Sequence, residues 1–183
     1  MTKPSPALGV SLFILLFFIK TVILALWVTP MWDIPDETGH LAYTIELAAT
    51  HKLPVMGESI IDWYIMETVQ EGNFAPELNN TISQHPPVYY LFTSLMWKAG
   101  TLITDHRDLL FRIPRLVASV AGCLTLLFVY RLMLLLTRRV SISFGAMALI
   151  SFIPMFTHLS AGVNNDIMTM MFSTIAVFYW ARY

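Results

Sequence analysis

Two adjacent carboxylates, Asp36 and Glu37, with His40 one helical turn further on, form the first constellation able to do chemistry, within Trp32-Asp33-Ile34-Pro35-Asp36-Glu37-Thr38-Gly39-His40. A carboxylate withdrawn from water holds its proton at higher pH and can then accept a proton from a substrate hydroxyl near neutrality. The same residue types also open helices, because proline fits the first turn and acids suit the positive end of the helix dipole. Glu37-x-x-His40 has the spacing of half a carboxylate–histidine metal motif. No second copy occurs, so no metal or other cofactor is expected. Further along, Gln84-His85-Pro86-Pro87-Val88-Tyr89-Tyr90 places a histidine where it can hydrogen-bond an anionic headgroup, or marks an aromatic belt at a helix end. Arg112-Ile113-Pro114-Arg115 offers two guanidinium forks matched to phosphate oxygens, or simply determines topology. Asn164-Asn165-Asp166 supplies a third carboxylate or a helix cap. Lys20 is the one charge in a long apolar stretch. It either snorkels to the surface or pairs with an acid or a lipid phosphate.

The 183 residues that must position these groups are 56% apolar and 13% charged, against roughly 25% charged in a soluble domain. That excludes a soluble globule. A net charge of −1 without a basic run gives no reason to expect nucleic acid, and the apolar content excludes disorder. The apolar residues fall in blocks, and about 20 of them span a bilayer as a helix. The expected fold is therefore all-α and integral to the membrane: a polytopic helical bundle with surface-lying juxtamembrane helices in its first outer loop. The single cysteine, Cys123, excludes an intrachain disulfide and a cysteine-based metal site.

Residues 7–28 are expected as the first span, an uncleaved anchor, since no small-residue cleavage site follows them. They end at an interfacial Trp27, Pro30 and Trp32. Residues 31–84 then hold nine of the twelve acids and one base, Lys52. The positive-inside rule puts such a loop outside the cell membrane and the N-terminus in the cytoplasm. Within it, Leu41, Ala42, Ile45, Ala48 and Ala49 follow helical spacing and predict a helix along the membrane surface. Gly57 to Thr81 lack periodicity and are expected to be irregular. Residues 86–104 are apolar and aromatic but carry Lys98, and either span or lie along the interface. The second alternative delivers Arg131, Arg138 and Arg139 to the cytoplasm and leaves Arg107 between Asp105 and Asp108 outside, so it is preferred. Spans are expected at 116–136, 142–159 and 167–183, with Pro154 tolerated in the second of these. The chain stops where the last would reach the far surface, which suggests the N-terminal part of a longer protein.

The order of these motifs is more specific than any one of them. A span, P-D-E-x-x-H, a long outer loop, H-P-P-x-Y-Y, an R-x-P-R span start and an N-x-D after the next span together resemble the N-terminal half of GT-C glycosyltransferases. The similarity is to the protein O-mannosyltransferase and lipid A aminoarabinose transferase group, and covers nearly the whole chain. The resemblance implies transfer of a sugar from a polyprenyl-phosphate carrier to a protein, lipid or glycan acceptor on the outer face of a bacterial inner membrane. It implicates Asp36 and Glu37 first and Asp166 second as catalytic groups. His85 stands where relatives often place a lysine or another polar residue. His40, Arg112, Arg115 and Lys20 join it as expected substrate-binding residues. Two other classes stay open: a non-catalytic membrane subunit for export or assembly, and a transporter fragment with Lys20 and Asp166 on a solute path.

Overall fold

The computed structural model describes residues 6–69 and 78–183. Helix α1 (Pro6–Ile23) opens on a proline, whose missing N–H costs nothing in a first turn, and widens into a π-helical turn, Leu24–Val28. It ends because Pro30 forces Thr29 out of helical conformation. Leu8, Leu12, Leu15, Leu16, Ile19 and Ile23 remain exposed along it. So long an apolar stripe would drive a soluble protein to aggregate. Among the described residues, Pro6–Val28 and Arg107–Thr137 are the two helical runs long and apolar enough to cross a membrane.

The second run comprises α5 (Arg107–Arg112) and α6 (Arg115–Thr137), with Ile113-Pro114 between them. Helix α6 is the hub against which α1, α7 (Val140–Ser151) and α9 (Asp166–Arg182) pack. It turns inward a face of small residues, Ala118, Ser119, Ala121, Gly122 and Cys123. Small side chains let helix backbones approach closely where no water drives association. Gly122 shows the limit, since a Cβ there would run into Ser160 and Phe17.

The stretch 142–159, expected as one span, is two helices: α7 stops at Ser151 and α8 (Pro154–Leu159) begins after two intervening residues. Pro154 cannot donate to the carbonyl four residues back and its ring clashes there. That carbonyl, of Ile150, accepts from Ile153 N instead, and the Ser151 carbonyl left at the helix end accepts from Lys20 Nζ at 3.2 Å and Thr157 Oγ1 at 3.0 Å. Lys20 also bonds Thr157 Oγ1 at 3.1 Å and lies over the Phe17 ring. The Lys20 ammonium thus braces a broken helix, and among the described residues it is paired with no acid.

Outside this bundle, α2 (Glu37–Thr50) pairs with α4 (Val88–Thr101). Their shared surface is polar and aromatic. Thr44 and Thr93 hydroxyls meet at 2.8 Å, His40 Nδ1 lies 2.7 Å from the Tyr90 hydroxyl, and Tyr43 stacks on Tyr90. The opposite face of α4 presents Val88, Leu91, Phe92 and Leu95 outward, and Leu102 and Ile103 just after the helix are exposed too. This is the reverse of a soluble amphipathic helix. At 14 residues α4 is about 21 Å long, shorter than the roughly 30 Å hydrocarbon core. The expectation that Gly57 to Thr81 are irregular is also corrected in part. Strands β1 (Ile60–Ile61) and β2 (Leu78–Asn79) pair antiparallel, with α3 (Trp63–Val69) after the first. Glu71 and Glu77 lie outside the described residues.

The loop Ser160–Asn165 joins the two layers, and Gly162 is its tightest point: a Cβ there would overlap the buried Ile34 side chain. We expect Gly162→Ala to cost about 1–3 kcal/mol through overpacking. Thermal unfolding in detergent measures this, and an unchanged midpoint would mean that the Ile34 contact is absent.

Candidate functional site

Asp36 and Glu37 are neighbours in sequence with opposite fates. Asp36 adopts a left-handed conformation (φ 57°) ahead of α2 and caps nothing, so its carboxylate is exposed. The helix that follows turns Glu37 inward, where it is 1% exposed. There it meets Arg115, which is fully buried at the start of α6. Glu37 Oε1 accepts from Arg115 Nε at 2.8 Å and Val163 N at 3.0 Å, and Oε2 from Arg115 Nη2 at 2.7 Å and Trp32 N at 3.1 Å. The other guanidinium hydrogens reach the carbonyls of Ala25, Thr29 and Pro30 at 2.9–3.1 Å. Arginine has five N–H donors, and all five are used here. The π-helical turn helps to aim them, since widening the helix end at Leu24–Val28 turns carbonyls toward α6. This one ion pair therefore ties the end of α1, the start of α2, the start of α6 and the Ser160–Asn165 loop together.

The expected phosphate clamp is accordingly not available as a pair. Arg115 has no donor left. Arg112 bonds Asp108 and the Thr29 carbonyl and keeps free hydrogens on a side chain 12% exposed. Likewise Glu37, with both oxygens doubly occupied, lacks the lone pair a general base needs.

What converges instead is the rim around that pair. Asn164 is pinned on three sides: its amide N–H donates to the Tyr89 hydroxyl, its side-chain nitrogen to the Pro35 carbonyl, and its side-chain oxygen accepts from Asp166 N. This places the Asn164-Asn165-Asp166 loop against the residue preceding Asp36. Asn165 Nδ2 reaches His85 Nδ1 at 3.0 Å, and His85 packs edge-on to His40 with ring centroids 5.7 Å apart. Asp166 is exposed and opens α9. On the other flank, His158 Nε2 lies 3.7 Å from Asp33. The Asn164-Asn165-Asp166 loop thus bridges Pro35, next to Asp36, and His85. His40 takes no part in this bridge, being 2% exposed beneath Tyr90. Among the described residues no three histidine, cysteine or carboxylate side chains come together as a metal site.

Burial, and secondarily the neighbouring His85, push the His40 pKa down to about 3 from its ordinary 6.5. Burial likewise raises the Tyr89 and Tyr90 hydroxyls, so both keep their protons. The unfolded chain protonates His40 near pH 6.5 and the folded one does not until about pH 3. Stability from this group is hence complete above pH 6.5 and falls with acidification, by up to about 1.4 kcal/mol per pH unit. We expect the unfolding midpoint to drop steadily below pH 6.5, and His40→Gln to flatten that slope. A wild-type midpoint that ignores pH over this window would contradict the buried neutral imidazole.

Directly beneath the rim runs a groove of about 650 Å³ between α1, α4, α6 and α9. Its walls include Phe18, Phe92, Leu95, Leu116, Val120, Leu124, Met168 and Phe172, and no lining side chain is charged or a strong hydrogen-bonding group. Leu116, Met168 and Phe92 lie within a helical turn of Arg115, Asp166 and Tyr89, so the groove begins where the polar rim ends. Sequence reading missed the Glu37–Arg115 pairing. Its signal was an arginine opening one apolar helix and an acid just after another, charges whose burial demands a partner. Asp33–His158 left no such signal, because both are ordinary loop and helix-end residues. Comparison with protein-family models, curated protein sequences and solved structures gives no match.

Proposed function

We propose that this chain belongs to a membrane-embedded glycosyltransferase of the GT-C type, which moves a sugar from a polyprenyl phosphate to an acceptor hydroxyl. The observation that carries this reading is that the Asn164-Asn165-Asp166 loop is hydrogen-bonded both to Pro35, the neighbour of Asp36, and to His85, beside an all-apolar groove. At about 650 Å³ the groove falls within the roughly 300–1,000 Å³ of small-molecule sites, and its lining suits an isoprenoid tail. In this reading the chain crosses a bacterial inner membrane several times with its N-terminus inside. Residues 31–84 lie outside, and α4 rests its apolar face on the lipid.

The donor enters sideways, its tail in the groove and its phosphate at the rim, where Arg112 and His85 have donors to offer. Asp36 takes the proton of the acceptor hydroxyl. The acceptor oxygen bonds to the anomeric carbon as the bond from that carbon to the phosphate oxygen breaks, so the configuration inverts. The isoprenyl phosphate leaves as an anion and needs no strong acid. Asp166 orients the acceptor from the opposite side. Glu37 is a positioning residue, since Arg115 holds it.

Reconstitution in vesicles with a panel of isoprenyl-phosphate sugars tests this. Release of isoprenyl phosphate, coupled to glycosylation of an acceptor, is expected for at least one donor. Vesicles that release none with any donor would remove the transferase reading.

A further inference from the structure

The contact between Asn165 and His85 has a chemical direction. Asn165 Nδ2 is a donor only, so at 3.0 Å from His85 Nδ1 it requires a lone pair on that ring nitrogen. In a neutral imidazole the proton then sits on Nε2. Among the described residues, Nε2 of His85 meets no hydrogen-bond partner, and the ring is partly exposed at the rim.

We infer that Asn165 is a positioning residue that holds His85 as its neutral Nε2–H tautomer and thereby presents one N–H donor to an oxyanion entering the site.

Both partners are fixed for this. His85 follows the short helix Thr81–Gln84 and donates its backbone N–H to Ile82. Pro86 holds it extended (φ −74°, ψ 150°). Asn165 lies between two anchored residues: Asn164 takes part in three hydrogen bonds, one of them accepted by its Oδ1 from Asp166 N–H. The backbone carbonyl of Asn165 also accepts from Met168 N and Thr169 N. The titratable groups near the ring are His40, neutral and facing it edge-on, Tyr90 behind His40, and Asp166 beside Asn165 in the chain. A cationic imidazole here would be drawn to the Asp166 carboxylate. A neutral one keeps its N–H for a ligand oxygen.

The tautomer stands on geometry alone, whereas the oxyanion rests on the function proposed above. Nitrogen-15 NMR of the whole chain, histidine-labelled in nanodiscs, separates the two. The His85 signal is assigned by its loss in His85→Gln. We expect an unprotonated Nδ1 and a protonated Nε2 at neutral pH. Asn165→Asp, nearly the same in shape, replaces the donor with an acceptor. It should invert the tautomer, and Asn165→Ala should give a mixture. A protonated Nδ1 in the wild type, or a spectrum unchanged in Asn165→Asp, would overturn the assignment. Farnesyl phosphate and inorganic phosphate are then added separately. A saturable shift of the Nε2 proton with farnesyl phosphate alone identifies a lipid-borne phosphate, and equal shifts with both identify the phosphate group itself. No shift with either overturns the oxyanion role. Failure of the vesicle assay would leave the tautomer result intact, so the two failures are distinguishable.

Discussion

Glu37→Gln is expected to destabilise the fold by about 3–5 kcal/mol, the usual cost of removing one partner from a buried ion pair. Arg115 is fully buried, and its five hydrogens point at Glu37 and three carbonyls. The glutamine amide removes the counter-charge and turns a donor toward other donors, from Arg115, Val163 or Trp32. For a chain of this size the unfolding midpoint should fall by roughly 6–20 °C. Arg115→Met in the same chain should restore part of the loss, because an apolar pair often replaces a buried ion pair at little cost. Recovery stays partial, since the carbonyls of Ala25, Thr29 and Pro30 lose their donor. Calorimetry or a thermofluor scan in detergent reads all three proteins. A Glu37→Gln midpoint within a degree or so of wild type would show that the pair does not hold α1, α2, α6 and the Ser160–Asn165 loop together.

Asp36→Asn should do the opposite, leaving the fold alone and removing sugar transfer. The side chain is exposed and caps nothing. Its left-handed backbone, φ 57°, is one that asparagine adopts more readily than most residues. An amide cannot take the acceptor proton, so turnover should fall by about 10²–10⁴ with the midpoint unchanged. Asp166→Asn should raise KM for the acceptor more than it lowers kcat. Should Asp36→Asn keep its rate while Asp166→Asn loses it, the base is Asp166 and the two roles exchange.

The local parts of this architecture were legible because they depend on local chemistry. Helical spacing of Leu41, Ala42, Ile45 and Ala48 gave α2, and the apolar block before Pro30 gave α1. The acids at 36 and 37 were visible as a pair, yet nothing local separates them. Only the direction in which α2 leaves Asp36 decides that one faces water and the other Arg115, which is a long-range fact. The same holds for Lys20, whose partners arise from the Pro154 break more than a hundred residues away. The break itself was hidden because a membrane helix can carry proline, and whether it interrupts depends on what takes the freed carbonyl. The antiparallel pair β1–β2 was missed because two residues per strand leave no alternation to read.

One measurement bears most directly on the claim that Asp36 and Asp166 flank a single aqueous site above the groove. Cysteines placed singly and together at 36 and 166, in a Cys123→Ala background, are treated in sealed vesicles with a membrane-impermeant maleimide and then with a short bifunctional crosslinker. The account predicts that both positions label from the same, non-cytoplasmic side and that the double variant crosslinks within one chain. Labelling from opposite sides, or a double variant that never crosslinks, would contradict it.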